Sequence, residues 1–134
     1  HKAKLLISQP LEKTMRSISS IVKVISEQDP VQWRKLINTY SRYSKQNKSE
    51  FYFYFNVLKI WFQAANRLTK NIDHALHKTS FIEDMKIFIK RNPHADFSSI
   101  IYELEKPMEA VKNNYYMPLV LINLLLEIQK HFKQ

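Results

Sequence analysis

Two histidines three residues apart, His74 and His77, have the spacing that best fits a metal site in this sequence. On a helical turn both imidazoles would lie on one face beside Asp73, as in a two-histidine metal pair. A third and a fourth ligand are missing from the neighbouring sequence. We therefore interpret the pair as two exposed histidines of a linker, and the sequence predicts no metal site.

Carboxylates are concentrated in one later segment, which holds Asp96, Glu103, Glu105 and Glu109. Paired carboxylates catalyse proton transfer only where a cleft perturbs their pKa values. The spacing of Glu105 and Glu109 is simpler to explain as the solvated face of a helix, with lysines at 106 and 112 nearby. The sequence therefore predicts no catalytic carboxylate.

Composition excludes several further kinds of chemistry. The chain has no glycine, where an average composition would give roughly nine, so a glycine-rich phosphate loop cannot form. It also has no cysteine, which excludes disulfides, thiolate zinc sites and cysteine nucleophiles and favours the cytoplasm. Neither His94 nor His131 has a serine and carboxylate pattern around it. We expect no cofactor, no small-molecule substrate and no enzymatic activity in this chain.

Apolar residues recur at helical spacing along most of the sequence, and a chain of 134 residues fits one domain. We predict an all-α, single-domain bundle of five to six helices over residues 10–134, with residues 1–9 as a stub of a preceding linker or helix. The aromatic run 51–55 fits a strand as well as a helix, but the helical period continues to Leu68. The predicted helices begin at Pro10, at Pro30 after the cap Asp29, after the cap Ser49, after a capping box of Ser80 and Glu83, after the cap Asp96, and at Pro118.

Four details of this bundle follow from the same patterns. The third helix should be the longest and, being aromatic nearly all round in its first half, should lie centrally or offer a face to a partner. Pro107 should kink or divide the fifth helix. The sixth helix is the most apolar, so we place it at the centre of the core. Its apolar run is about half the ~20 residues of a membrane span, so we expect no contact with a membrane.

Positive charge is confined to the first half of the chain. Residues 1–70 hold 13 Lys and Arg against 4 Asp and Glu, a net +9, whereas residues 71–134 hold 8 against 8. Such asymmetry is typical of a surface that faces nucleic acid, and also of a solvated face or one matched to an acidic neighbouring subunit. The candidate DNA-facing residues are Arg34, Lys35, Arg42 and Lys45.

Several segments of the second half of the chain follow one another in a distinctive order. They are Phe81 to Phe88, then Asn92, the stretch FSSIIYELE from Phe97 to Glu105, Lys112-Asn113-Asn114, and the apolar stretch LVLINLLLEI from Leu119 to Ile128. From Asp29 onward this order of segments resembles the C-terminal collar domain of the delta-prime subunit of the bacterial DNA polymerase III clamp loader. The resemblance covers about three-quarters of the chain, and it departs from the expected pattern at Pro107 and at residues 115–118.

That resemblance implies a role in DNA replication as a non-catalytic part of a longer protein, whose N-terminal nucleotide-hydrolase domain would precede this fragment. A chain that starts at His1 fits this interpretation. The collar would join other clamp-loader subunits in a ring of five and so support loading of the sliding clamp, with any contact to DNA indirect. We expect the residues that fall off the main apolar stripes to form the subunit interface: Tyr52, Phe53, Tyr115 and Tyr116. The alternative is a basic helical module that binds nucleic acid.

Overall fold

Six stretches of the chain are helical in the structure, a computed structural model that describes residues 2–70 and 81–132. Side chains are described for residues 13–70 and 82–132. Those residues contain no strand, which confirms the all-α bundle and the helical state of the aromatic run 51–55. The predicted linker at 71–79, its histidine pair and Ser80 of the predicted capping box lie outside the described residues. The helices are α1 (Lys2–Glu27), α2 (Pro30–Gln46), α3 (Lys48–Thr69), α4 (Phe81–Arg91), α5 (Phe97–Lys112) and α6 (Met117–Phe132).

Two prolines lie inside helices instead of ending them. Helix α1 begins at Lys2 and continues through Pro10, so the predicted helix start at Pro10 is wrong. The prediction that the third helix is the longest is also wrong, because α1 has 26 residues and α3 has 22. The residues before Pro10 are mostly Ala, Lys, Leu and Gln, which are strong helix formers. Helix α5 likewise runs through Pro107 undivided. Pro107 is buried between α5 and α6, and this packing holds both halves of the helix in place.

Short polar side chains start three of the helices. The carboxylate of Asp29 accepts a hydrogen bond from the backbone N–H of Val31 at 3.0 Å, and Asp96 accepts one from the N–H of Ser99 at 3.2 Å, as predicted. The predicted cap Ser49 is wrong. Asn47 caps α3 by accepting from the N–H of Glu50 at 3.3 Å, and the hydroxyl of Ser49 donates to the same amide oxygen.

Two helix ends use a left-handed residue without glycine. Asn114, with φ of 56°, follows α5 in a Schellman motif, in which the N–H of Asn114 bonds the carbonyl of Val111 and that of Tyr115 bonds Ala110. Gln28, with φ of 58°, ends α1. Its side-chain amide donates to the side chain of Gln129, whose own amide donates to the carbonyl of Ile25. Residue Gln129 of α6 therefore ties the end of α1 to the end of α6.

Helix α3 occupies the centre of the bundle, in contact with α1, α2, α4 and α5. Its Trp61 and Phe62 are fully buried and meet Phe88 of α4 at ring-centroid distances of 5.6 and 5.8 Å. Phe132 of α6 closes this aromatic cluster 5.2 Å from Phe88. The indole N–H of Trp61 donates to the hydroxyl of Ser19 on α1 at 2.8 Å. The expectation that α6 lies at the core centre is therefore wrong, because the bulky aromatic side chains of α3 fill that space.

Candidate partner-binding surface

The outer face of α6 carries large apolar side chains that no other described residue covers. Leu119 is 57% exposed and Leu126 is 51% exposed. They are seven residues apart, which is about two helical turns, so they lie on one face with half-buried Ile122 between them. We call Leu119, Ile122 and Leu126 the α6 ridge. Sequence reasoning missed this ridge, although a helix apolar nearly all round signals more apolar surface than one core contact covers.

A mostly apolar groove separates the α6 ridge from α2, with a volume of about 450 Å³. Of the described residues that line the groove, Arg34 is the only charged one. Its floor is fixed by Trp33, whose indole N–H donates to the carbonyl of Val24 at 3.1 Å. A partner side chain would therefore meet a wall held in place by the core. The lining residues are Gln28, Pro30, Trp33, Arg34, Ile37, Ile122, Leu126 and Gln129.

The groove on the other side of α6 faces α5, has a volume of about 220 Å³ and is lined by three charged residues, Glu103, Lys106 and Glu127. Lys106 lies 3.0 Å from the buried carboxylate of Glu103 and stands over the exposed ring of Tyr102 at 5.2 Å. The hydrogen bond from Lys106 to Glu103 raises the pKa of Lys106, so the lysine stays charged. This groove is lined by Glu103, Lys106, Pro107, Val120, Asn123, Leu124 and Glu127.

The structure exposes three of the four predicted interface residues. Tyr115 and Tyr116 are 60% and 69% exposed and directly precede α6, close in sequence to Leu119 of the ridge. Phe53 is 47% exposed on α3, a helix separate from the α6 ridge in the chain. Tyr52 is half-buried and meets the ring of Phe51 edge-on at 6.2 Å. Tyr115 and Tyr116 therefore lie in the connector that leads into the helix of the α6 ridge, whereas Tyr52 belongs to the rim of the core.

The four candidate DNA-facing residues are all exposed on α2. Within the described residues, none of Arg34, Lys35, Arg42 and Lys45 forms an ion pair. The cross-helix ion pair joins Lys59 of α3 to Glu105 of α5 at 3.4 Å, and the others lie within single helices. The spacing of Glu105 and Glu109 predicted a solvated carboxylate at Glu105. The structure shows that Glu105 also forms an ion pair with another helix.

The polar cleft between α1 and α4 has a volume of about 320 Å³ and contains hydroxyls, but these are already engaged. Ser19 donates to the carbonyl of Met15 and accepts from Trp61, and Ser26 donates to the carbonyl of Lys23. Among the described residues that line the cleft, Asp84 supplies the only carboxylate and none is a histidine. In the described ranges no three His, Asp or Glu side chains are grouped to hold a metal ion, and no helix has the length and apolarity to cross a membrane.

Comparison with known proteins yields no relative. No family model matches the sequence, and no curated protein or solved structure is significantly similar to it.

Proposed function

We propose that this chain is a non-catalytic subunit-assembly domain of a DNA polymerase III clamp loader, equivalent to the collar of the delta-prime subunit. It would act in the cytoplasm and bind other clamp-loader subunits, so that the loader can place the sliding clamp on DNA during replication. The observation that carries the proposal is the α6 ridge, an apolar helix face left uncovered after the core of the bundle is filled. In a helix of a folded domain, such a face is typical of a protein–protein interface.

The geometry of the ridge suits a ring of subunits. A subunit in a ring has two neighbours, and the α6 ridge has a groove on either side, one toward α2 and one toward α5. The ridge and the apolar α2 groove provide anchors, and the α5 groove adds a charged rim at Lys106, Glu103 and Glu127.

The energetics require both the ridge and its surroundings. Burying a whole leucine side chain contributes about 1.5–3 kcal/mol, so the exposed halves of Leu119 and Leu126 contribute about 1 kcal/mol each. Association costs about 4–15 kcal/mol in lost freedom of motion, which two half-leucines do not offset. A stable contact therefore has to include the rings of Tyr115 and Tyr116 and a groove, and so approach the ~800 Å² per partner of a standard interface.

Light scattering on mixtures with candidate clamp-loader subunits tests the proposal. We expect the wild-type domain to form a complex whose mass is the sum of its members, and the L119D/L126D variant to remain free. The matched control is I60D/I87D, which places the same two charges on exposed isoleucines of α3 and α4. Circular dichroism should show all three proteins folded. If no loader subunit binds the wild-type domain, while full-length subunits assemble under the same conditions, the proposal is wrong.

A further inference from the structure

Helix α2 carries an exposed face that contains only positive charge. At 100° per residue, Arg34, Lys45, Arg42 and Lys35 fall within an arc of about 100°, with Asn38 inside it. The helix has no Asp or Glu in its 17 residues. From Arg34 to Lys45 the face extends about 16 Å along the helix axis. We call these four cations and Asn38 the basic α2 face.

The geometry points to the sugar-phosphate backbone of nucleic acid as the ligand of the basic α2 face. Exposed cations within an arc of about 100° repel one another, and the chain itself supplies no carboxylate against them in the described residues. A length of about 16 Å corresponds to about five phosphates of one strand of a DNA duplex, at 3.4 Å per charge along the axis. Arginine, lysine and asparagine are among the side chains that donate hydrogen bonds to phosphate oxygens.

The opposite side of α2 argues against a lipid surface. Trp33 and Tyr40 are buried, and the ring of Tyr40 lies 5.7 Å from that of Phe55 in α3. An interfacial membrane helix needs its apolar side free to enter the bilayer. In α2 that side is already occupied by the core.

The exposed side chains of α2 also differ from those of a protein interface. Val31 is the one large apolar side chain of α2 that is exposed, and the aromatic residues of the helix are buried or half-buried. Anchor residues of interfaces between proteins are most often Trp, Tyr and Arg, packed in pockets from which water is excluded. The basic α2 face has two arginines but no aromatic or apolar side chain beside them. Attraction through charge alone is characteristic of sequence-independent contact with phosphates.

The nucleic-acid proposal is independent of the assembly proposal, although Arg34 also lines the groove between α2 and α6. The test therefore leaves Arg34 unchanged and uses the variant K35Q/R42Q/K45Q. The matched control, K13Q/R16Q/K23Q, removes the same three charges from exposed positions on α1. Each variant keeps six of the nine net positive charges.

The experiment measures fluorescence anisotropy with labelled duplex DNA, single-stranded DNA and single-stranded RNA between 50 and 200 mM salt. Four phosphate contacts on duplex DNA give a slope of log K against log salt of about −3.6, which is an affinity loss of about 150-fold over that range. We expect K35Q/R42Q/K45Q to reduce the slope to about −0.9, and the α1 control and L119D/L126D to keep the wild-type slope. The three nucleic acids then distinguish a duplex from a single-strand ligand.

Three results would overturn the inference. One is the absence of salt-sensitive binding to all three nucleic acids. Another is an equal loss in the α1 control, because net charge alone would then explain the binding. The third is tighter binding to polyglutamate than to any nucleic acid, which would identify an acidic protein as the partner of the basic α2 face.

Discussion

Replacing Ser19 by alanine tests the hydrogen bond that joins α1 to the central helix. The hydroxyl of Ser19 donates to the carbonyl of Met15 at 3.1 Å and accepts from the indole N–H of Trp61 at 2.8 Å. Both Ser19 and Trp61 are buried, and no other described residue accepts a hydrogen bond from the indole N–H of Trp61. The variant S19A therefore leaves the indole N–H of Trp61 without a partner inside the core.

The expected cost follows from opposing contributions. A buried donor without a partner costs about 1–3 kcal/mol, whereas alanine in a helix is favoured over serine by about 0.5 kcal/mol. We expect S19A to lower the free energy of unfolding by about 1.5 kcal/mol. With an unfolding entropy of about 0.28 kcal/mol/K for a chain of this length, the melting temperature falls by about 5 °C.

The same helix offers a matched control in Ser17. Its hydroxyl makes the equivalent local bond, to the carbonyl of Lys13 at 3.3 Å, but Ser17 is exposed. Urea and thermal unfolding should show S17A within about 0.5 kcal/mol of wild type. A double-mutant cycle of S19A with W61F should give a coupling of at least about 0.5 kcal/mol. The reasoning is refuted if S19A is no less stable than S17A or if the coupling is zero.

Three further predictions concern Tyr40, Asp96 and Asn114. Burial, and after it the nearby charge of an ionised Tyr54, raises the pKa of Tyr40 in the folded protein. The neutral phenol of Tyr40 therefore contributes its full stabilisation below about pH 10, and this stabilisation is lost as pH rises through the folded pKa. Urea unfolding at alkaline pH should show that Y40F loses less stability with rising pH than wild type. Hydrogen bonds from the side chain and then the backbone of Ser99 lower the pKa of Asp96. D96A should therefore lower the free energy of unfolding by about 1 kcal/mol at neutral pH. Thermal melts should show a smaller difference between D96A and wild type below about pH 4, where Asp96 becomes protonated. N114A should lower the melting temperature by about 4 °C and N114G should not, because alanine disfavours a φ of 56°.

The start of a helix could be predicted from the sequence where a capping residue directly precedes the first residue of an apolar helical period. Asp29 is followed directly by Pro30, and Asp96 directly precedes the apolar period that starts at Phe97, and both caps are confirmed. Asn47 and Ser49 both offer a capping oxygen, and only the backbone conformation decides between them, so that boundary was missed. The prediction that Pro10 begins a helix failed because a single proline does not outweigh strong helix formers on either side.

The candidate surface was predictable only in part, for a reason that lies in tertiary packing. Tyr115 and Tyr116 are in a connector off the apolar stripes, so their exposure could be anticipated. Tyr52 lies on a helix that is aromatic on most sides, and the sequence does not show which side the other helices cover. Leu119 and Leu126 were missed because the apolar composition of α6 predicts burial, whereas the volume taken up by α3 decides how much of α6 is buried.

The tie between Gln129 and Ile25 has a consequence for synthesis of the protein. The two residues are 104 positions apart, and α6 supplies the groups that close the end of α1. At about 5–20 residues per second, a ribosome needs about 5–20 s to add that length of chain. During this interval the end of α1 lacks its hydrogen-bond partner on α6, and the apolar side chains that α6 later covers remain exposed on the nascent chain, where such surface is prone to aggregate.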